Sequence, residues 1–213
     1  MKIFLIANGK VYHLSELRSY LKPHVIVAVN GGTNKALKNK VIPDIVIGDT
    51  DSLQKNLKTK LKIIKYPKDK DQSDIDLAIS FILSNYSDFS LYCFGIIGNR
   101  VDHTLANIQS VTKVNERGLK TIIIESKETI FPLTEGQSIN NITNNARVSI
   151  LSLSDFSEVE IQGLKYSGNY QFPFLSSLGI SNYVTSEKNK ILCQKGKIIV
   201  IVYKKYRDLF LEN

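Results

Sequence analysis

Two aspartates separated by one residue, Asp49 and Asp51, are the clearest chemical feature of the sequence. They follow the run Ile-Val-Ile-Gly at 45–48, which is typical of a buried strand entering a loop. In an extended chain alternate side chains face the same way, so both carboxylates would point to one place. Two negative charges so close repel each other unless a cation or a proton joins them, and paired hard oxygen ligands favour Mg²⁺. The simpler alternative is a polar turn that closes a strand.

A second acidic segment contains Asp71 and Asp74 and leads into apolar residues at helical spacing. Ser73, with Asp76 three residues later, resembles a capping box, so Asp76 is predicted to be structural. Asp74 can equally be a structural residue of the first turn or a ligand, whereas Asp71 lies before the cap. Two acidic loops at two strand ends predict one metal site, built from both segments. Its predicted ligands are Asp49, Asp51, Asp71 and Asp74.

A third loop places Arg100, Asp102 and His103 within four residues, directly before a predicted helix that closes at Gly118. The planar guanidinium of an arginine suits a phosphate, and it suits a surface ion pair equally well. Asp102 has an ordinary alternative as a cap of that helix, and a single histidine is more often structural than catalytic. The informative residue of this loop is therefore Arg100.

A glycine pair, Gly31 and Gly32, follows another strand and opens a helix. Glycines let backbone N–H groups approach a ligand, although a Gly-Gly turn between a strand and a helix is also common without one. The chain holds no G-x-x-x-x-G-K-[ST] motif, so a bound nucleotide is not held by a P-loop.

The elements that position these loops are predicted from the sequence between Ile3 and about Glu125, where short apolar runs alternate with amphipathic ones. Such alternation predicts an α/β domain with a mainly parallel sheet, in which ligands bind at the carboxyl ends of the strands. The predicted strands are 3–7, 25–29, 45–47, 62–65, 91–97 and 121–124. The predicted helices are 14–21, 33–39, 74–83 and 104–117.

From about residue 126 the pattern changes to short strand-like runs broken by Gly, Asn, Ser and Pro, with no convincing helix. We expect an all-β sandwich or barrel here, so that the chain divides into domains 1–126 and 127–213. The predicted strands are 130–133, 147–153, 159–164, 183–185, 191–193 and 197–203. Ser181 and Asn182 lie between such runs, and by pattern alone they are turn residues.

The composition of the chain limits which classes of function are possible. With 213 residues, 43% of them hydrophobic, the chain can bury a large core. Its net charge of +8 comes with lysines scattered along the sequence and no Arg-rich tract, so we expect no nucleic acid partner. Cys93 and Cys193 lie in apolar runs and are predicted to be buried thiols. No run is long enough to span a membrane and the apolar N-terminus stops at Asn8, so we expect a cytoplasmic protein.

Taken in order, the motifs resemble those of the thiamine pyrophosphokinase family over nearly the whole chain. The family's patterns are a Gly-Gly loop with Asn, Pro-Asp-x-x-x-Gly-Asp-x-Asp-Ser, Lys-Asp-x-x-Asp, and Gly-x-x-Gly-x-Arg-x-Asp-His-x-x-x-Asn. They match Gly31 to Asn34, Pro43 to Ser52, Lys70 to Asp74, and Gly95 to Asn107. Two further segments, Gly163 to Tyr166 and Gly179 to Asn182, resemble motifs of that family's C-terminal domain. Each motif alone is weak, but six in this order are specific.

The resemblance implies an α/β catalytic domain that binds ATP and Mg²⁺, a β-sandwich that binds thiamine, and a homodimer with the thiamine site at the subunit interface. It also implies transfer of the diphosphoryl group of ATP to the hydroxyethyl group of thiamine, which gives thiamine diphosphate and AMP. By position, Asp49, Asp51, Asp71 and Asp74 match residues that hold Mg²⁺ and the phosphates. The residues on the nucleotide side are Asn34, Arg100, Asp102, His103 and Asn107, and those on the thiamine side are Ser181 and Asn182.

One departure concerns Asn30, because the family usually has aspartate before the Gly-Gly pair. The change removes one carboxylate from the predicted site.

Phosphoryl transfer fits these residues independently, since the enzyme mostly positions the reactants and neutralises charge. Arg100 would act together with the metal, and either Asp71 or Asp74 could accept the proton of the attacking hydroxyl. Tyr183 could add an aromatic face for the thiazolium cation or serve as a core residue.

Three rival functions remain open at this point. A haloacid-dehalogenase-like phosphatase also uses Asp-x-Asp after a strand, but its motif continues to Thr or Val where this chain has Leu53. A related diphosphokinase that acts on another alcohol, such as a hydroxymethylpterin, would share the N-terminal loops. A basic β-domain that binds nucleic acid is opposed by the acidic loops, which would repel a phosphate backbone.

Overall fold

The computed structural model describes residues 1–48, 61–66 and 71–209, so Asp49 and Asp51 lie outside the described residues. The chain divides into two compact units, Met1–Ser126 and Lys127–Asn213.

The first unit is built on a parallel sheet of six strands. In chain order these are β1 (Lys2–Ile6), β2 (Val25–Val29), β3 (Ile45–Ile47), β4 (Lys62–Ile64), β5 (Ser90–Phe94) and β6 (Lys120–Ile124). Their spatial order is β6-β5-β1-β2-β3-β4, and the five neighbouring pairs are all parallel. The predicted α/β fold with a mainly parallel sheet is therefore confirmed.

The direction of winding changes between β1 and β5. From β1 the chain adds β2, β3 and β4 on one side, and it then returns to place β5 and β6 on the other side of β1. At such a switch point the loops that leave the two neighbouring strands run apart and open a crevice, which is where parallel sheets bind ligands. The topology thus points to the carboxyl ends of β1 and β5 as the place for a site.

The helices described in the first unit are α1 (Leu14–Leu21), α2 (Gly32–Lys38), α3 (Asp74–Asn85) and α4 (Val101–Asn115). The side chain of Ser73 accepts a hydrogen bond from the backbone N–H of Asp76, so the predicted cap of α3 is confirmed. Helix α4 begins three residues earlier than predicted. Asp102 consequently lies inside its first turn, and the capping position belongs to Arg100.

The second unit is a sandwich of antiparallel strands, as predicted. In chain order its strands are β7 (Thr129–Thr134), β8 (Ser138–Asn140), β9 (Arg147–Ser152), β10 (Phe156–Gln162), β11 (Gly168–Pro173), β12 (Asn182–Tyr183), β13 (Lys190–Lys195) and β14 (Lys197–Val202). One layer has the order β12-β9-β14-β7 and the other has the order β11-β10-β13-β8. Short 3-10 turns occupy Ser177–Gly179 and Tyr206–Asp208. Its core includes Phe131, Val148, Phe172 and Ile191.

Both cysteines are buried and unpaired, which confirms the prediction. Burial raises the pKa of both thiols, that of Cys193 to about 12. In the described ranges we find no helix with the length and apolar character needed to cross a bilayer.

Candidate functional site

A cavity of about 530 Å³ opens in the first unit at the carboxyl ends of its strands. Its walls come from the loop after β1, the start of the loop after β2, the first residues of α3 and the loop after β5. It therefore lies at the switch point of the sheet. The polar and charged lining residues are Asn8, Lys10, Asn30, Lys35, Ser73, Asp74, Asn99, Arg100, His103 and Asn107.

Glycines allow the three strand-end loops to approach one another this closely. A Cβ on Gly32 would collide with the carbonyl oxygen of Ile6 at the end of β1, and one on Gly31 would collide with the side chain of Asn8. Gly95 has a φ of +66°, and a Cβ there would lie 2.7 Å from the carbonyl oxygen of Ala7. The Gly-Gly pair thus has a packing role at the edge of the cavity, which is the structural alternative considered for it.

Asn30 lies between the carboxyl end of β3 and the start of α3. Its Nδ2 donates a hydrogen bond to Oδ2 of Asp74, the first residue of α3. Its Oδ1 occupies the space that a Cβ of Gly48 would need. Gly48 directly precedes Asp49, so the carboxyl end of β3 and the start of α3 lie against the same side chain.

The predicted aspartates differ in their surroundings. Asp74 is half-buried and lines the cavity, whereas Asp71 is exposed and precedes the helix cap. Within the described ranges no three His, Cys, Asp or Glu side chains converge as a metal site. Asp49 and Asp51 lie outside those ranges, so the four-aspartate site stays a prediction.

Asp76 has the structural role predicted for it. Oδ1 accepts hydrogen bonds from Ser110 Oγ at 2.8 Å and Lys113 Nζ at 2.6 Å, and Oδ2 accepts one from Ser73 Oγ at 2.9 Å. Partial burial alone would raise the pKa of Asp76, but these hydrogen bonds and the charge of Lys113 outweigh it and hold the pKa below its ordinary value. Asp76 therefore ties α3 to α4.

Arg100 lies at the cavity wall, and its guanidinium is paired with Asp102 through both Nε and one terminal nitrogen. The hydrogen bond from Arg100 lowers the pKa of Asp102, and Asp102 in turn raises the pKa of Arg100. The side chains of Arg100 and Asp102 are about two-thirds exposed, at 68% and 64%. An exposed ion pair contributes little free energy, so an anionic ligand could replace Asp102 as the partner of Arg100.

The other residues predicted on the nucleotide side separate into two groups. His103 and Asn107 line the cavity, and Asn107 Nδ2 donates a hydrogen bond to the carbonyl oxygen of Ile96 at 3.0 Å. Asn34 on α2 and Asp102 on α4 are not among the cavity-lining residues in the part of the chain that the structure describes.

The polar residues of the cavity wall that were not predicted as site residues include Asn8, Lys10 and Lys35. Asn8 and Lys10 follow β1, and Lys35 lies one turn into α2. Within the described residues the ammonium group of neither lysine has a hydrogen-bond or ion-pair partner, so both charges are available to an anion. The signal that could have found Lys10 is its place after a strand, because all parallel strands of a sheet end at the same edge.

In the second unit, Asn182 is 5% exposed and its side-chain amide is occupied by the backbone. Oδ1 accepts hydrogen bonds from the N–H groups of Tyr166 and Tyr183, and Nδ2 donates to the carbonyl oxygen of Tyr166 at 3.0 Å. Asn182 thus brings the Tyr166 segment against the start of β12. It belongs to a strand, so its reading as a turn residue was wrong.

Ser181 is exposed and has a left-handed φ of 60°, as expected for a turn. The ring of Tyr183 is 37% exposed, so its reading as a core residue was wrong. The guanidinium of Arg147 lies 5.5 Å from the centre of that ring, and Arg147 Nε donates to the hydroxyl group at 3.1 Å. An aromatic face is therefore present beside Ser181, and in this structure a cation already lies over it.

Comparison with known families gives two matches that together cover most of the chain. Residues 17–123 match the family described as "Thiamin pyrophosphokinase, catalytic domain". Residues 132–198 match the family described as "Thiamin pyrophosphokinase, vitamin B1 binding domain".

Individual relatives agree with these matches. The thiamine pyrophosphokinase of Bacillus subtilis is 29% identical over 208 residues, which is 93% of this chain and 97% of the relative. A crystal structure of that Bacillus subtilis enzyme superimposes with a TM-score of 0.81 at 27% identity, covering 96% of this chain and 99% of the other. The thiamin pyrophosphokinase of Candida albicans shares the fold, with a TM-score of 0.79 at 22% identity, over 96% of this chain and 89% of the other.

Proposed function

The chain belongs to the thiamin pyrophosphokinase family, and on that premise we propose how its residues carry out the family's reaction. The protein is an ATP-dependent diphosphotransferase that converts thiamine and ATP to thiamine diphosphate and AMP. We assign ATP to the cavity of the first unit. The observation that carries this assignment is the position of that cavity at the switch point of a parallel sheet, with cationic and acidic side chains on its wall.

Three cations are available for the polyphosphate. Lys10, Lys35 and Arg100 line the cavity, and a nucleoside triphosphate needs its charge neutralised both for binding and for transfer. A planar guanidinium can exchange its exposed partner Asp102 for two phosphate oxygens. The lysines act as point charges that need no fixed geometry. His103 and Asn107 supply polar contacts to the nucleotide from α4. Asn34 and Asp102 do not line the cavity, so they assist nucleotide binding from outside its wall.

We propose that Mg²⁺ accompanies ATP, held by Asp49, Asp51, Asp71 and Asp74. The donor chemistry at the described end of this set fits, because Asp74 lines the cavity and presents a carboxylate, which is a hard oxygen ligand. When bound, the ion would neutralise negative charge on the diphosphoryl group that is transferred from ATP.

The chain's own groups orient the reactants and move one proton. Asp74 lies on the cavity wall, whereas Asp71 is exposed before the helix cap. This difference supports Asp74 as the group that accepts the proton of the thiamine hydroxyl, with Asp71 binding charge at the rim. Arg100 stabilises the charge that develops on the transferred group, and the loops that meet at Gly32 and Gly95 keep the donors in place.

We assign thiamine to the second unit, at Ser181 and Asn182. Asn182 shapes that site through the backbone of Tyr166, and Ser181 is the exposed hydroxyl beside it. We further propose a homodimer in which the thiamine site lies at the subunit interface. A run of exposed apolar side chains directly before Ser181 supports this proposal, and it comprises Phe174, Leu175, Leu178 and Ile180. The unpaired thiols are consistent with the reducing cytoplasm that we infer as its location.

The reaction is tested by supplying ATP, Mg²⁺ and thiamine to the purified chain and separating the nucleotide products. We expect AMP and thiamine diphosphate in equal amounts, and no product after the metal is chelated. A hydroxymethylpterin in place of thiamine serves as the acceptor control and should give no AMP. Formation of ADP would exclude diphosphoryl transfer, and turnover that continues after chelation would exclude the proposed role of Mg²⁺.

A further inference from the structure

We propose that Asn30 is a positioning residue that fixes the carboxylate of Asp74 and the end of β3 without adding charge. The inference rests on the proposed function, because it assigns a task to a residue of the ATP and metal site.

The contacts of Asn30 join three segments. Its backbone N–H donates to the carbonyl oxygen of Ile47, the last residue of β3, at 3.0 Å. Its carbonyl oxygen accepts the N–H of Thr33 in the first turn of α2, also at 3.0 Å. The side chain reaches Asp74 with its amide nitrogen and Gly48 with its amide oxygen. One half-buried residue thereby connects the ends of β2 and β3 to the start of α3.

The backbone of Asn30 explains why asparagine is suited to this position. Its φ of 47° lies in the left-handed region, where asparagine and aspartate are tolerated better than other non-glycine residues. Between these two, only asparagine is both a donor and an acceptor at neutral pH. A carboxylate at the same atoms would face the carboxylate of Asp74, and the pair would then need a cation between them.

Two consequences follow. In this chain Asp74 has a permanent partner, so its orientation is set before any metal binds. The site also carries one negative charge fewer than it would with aspartate at position 30, so it should bind the cation more weakly. Asparagine at position 30 thus holds the carboxylate of Asp74 in place at all metal concentrations, whereas aspartate there would strengthen cation binding.

The test uses the full-length chain with Asn30→Asp and Asn30→Ala. Gln109→Glu is the matched control, because it adds one negative charge at an exposed position of α4 away from the cavity wall. In EDTA we expect the first thermal transition of both Asn30 variants to fall by about 3–8 °C relative to the control, from the loss of one hydrogen bond to a charged group. Millimolar Mg²⁺ should restore most of the loss in Asn30→Asp and little of it in Asn30→Ala.

A second measurement separates positioning from a structural role. The Mg²⁺ concentration that gives half-maximal AMP formation should fall roughly three- to tenfold in Asn30→Asp, because one more carboxylate faces the cation. It should be unchanged in the control. In Asn30→Ala combined with Asp74→Ala, the thermal loss should be close to that of the larger single variant rather than to the sum.

The proposal is overturned if Asn30→Asp matches the control in EDTA, or if its Mg²⁺ requirement equals that of the unaltered chain. Failure of the proposed function has a different signature. If the metal plays no part, Mg²⁺ changes neither the activity nor the thermal transition of any variant, yet the losses in EDTA and their non-additivity with Asp74 still report the contact.

Discussion

Single substitutions of Lys10 and Lys35 would test whether the cavity binds ATP. Each offers an unpartnered ammonium group to the cavity within the described part of the chain. Lys10→Ala and Lys35→Ala should each raise the KM for ATP roughly three- to tenfold, since one charge contact at the protein surface contributes about 1 kcal/mol. Steady-state kinetics at saturating thiamine measures the effect. Lys38→Ala, an exposed lysine of the same helix α2, is the control, and equal KM values in all three variants would contradict the assignment.

Asp74 and Asp71 are assigned different roles: Asp74 accepts the proton, and Asp71 binds charge at the rim of the cavity. Substituting each in turn distinguishes these roles. Asp74→Asn should lower kcat by at least about 100-fold even at saturating Mg²⁺, because an amide that replaces this proposed metal ligand still cannot accept the proton. Its fold should survive, since the new amide oxygen can still accept the hydrogen bond from Asn30. Asp71→Asn should also lose activity, through weaker binding of Mg²⁺ and therefore with partial recovery at high Mg²⁺. Circular dichroism checks the fold, and a variant of either residue with near-normal activity would remove that residue from the site.

Single residues were predictable where their type and spacing carried the signal. Arg100 and Asp74 were singled out in this way and lie on the cavity wall, and Ser73 caps α3. His103 and Asn107 also line the cavity, but they were assigned to the nucleotide through the resemblance to the family, and the roles of all four stay predictions. Asn30 was recognised only as a missing carboxylate, because its contact with Asp74 depends on how β2 and α3 are arranged in space. Lys10 and Lys35 were missed because lysines are scattered along the whole chain. The place of Lys10 after β1 was a usable signal, whereas Lys35 lies within α2 and gives none until the topology brings it to the switch point.

At the scale of elements, Asp76 provides the clearest test. It joins α3 to α4 through Ser110 and Lys113, and its pKa is held below the ordinary value of 3.8. A carboxyl whose pKa is lower in the folded state stabilises the fold above its unfolded pKa, and that stabilisation is lost as the pH falls through the folded pKa. Asp76→Asn should therefore reduce the free energy of unfolding by about 1–3 kcal/mol at neutral pH.

The pH dependence distinguishes this interaction from a simple packing effect. The difference between Asp76→Asn and the unaltered chain should be constant above about pH 5 and should shrink as the pH falls below 3.8. Urea unfolding across this range measures it. Asp88→Asn, an exposed residue of the same unit, should show little change at any pH. A deficit in Asp76→Asn that persists undiminished in acid would contradict the role given to the ionised carboxylate.

The elements themselves were largely predictable, and the exceptions have physical causes. Strands β8 and β11 were missed, and both lie at the edges of their layer. Edge strands tolerate glycine and proline, as at Gly168 and Pro173, so their sequences lack the apolar alternation that marks a strand. Strand β5 was predicted to reach Ile97 but ends at Phe94, because Gly95 turns the chain against the loop after β1.

At the scale of the whole molecule, the alternating pattern predicted the α/β class, and the change near residue 126 predicted a separate β-rich segment. The order of the strands was not predictable from periodicity, because any strand of that pattern could neighbour β1. The order matters most for function, since it places the switch point between β1 and β5 and so decides which loops meet. The match of consecutive motifs to a known family supplied what periodicity could not.

The exposed apolar segment before Ser181 gives the whole-molecule prediction. Leu178 is 60% exposed and is accompanied by Phe174, Leu175 and Ile180, which are each about half exposed. Exposed apolar side chains that lie together often mark an interaction surface. If this segment lies in a dimer interface, Leu178→Asp should bury an unpaired charge there and shift the protein from dimer to monomer. Light scattering after size exclusion measures the mass.

Ile42→Asp is the matched control for that variant, because Ile42 is 68% exposed and lies in the first unit, outside the cavity wall. It should leave both the mass and the activity unchanged. Because the proposed thiamine site lies at the interface, Leu178→Asp should raise the KM for thiamine well above its effect on the KM for ATP. A monomeric variant with an unaltered KM for thiamine would show that each chain completes its own thiamine site, and a variant that stays dimeric would place the interface on another surface.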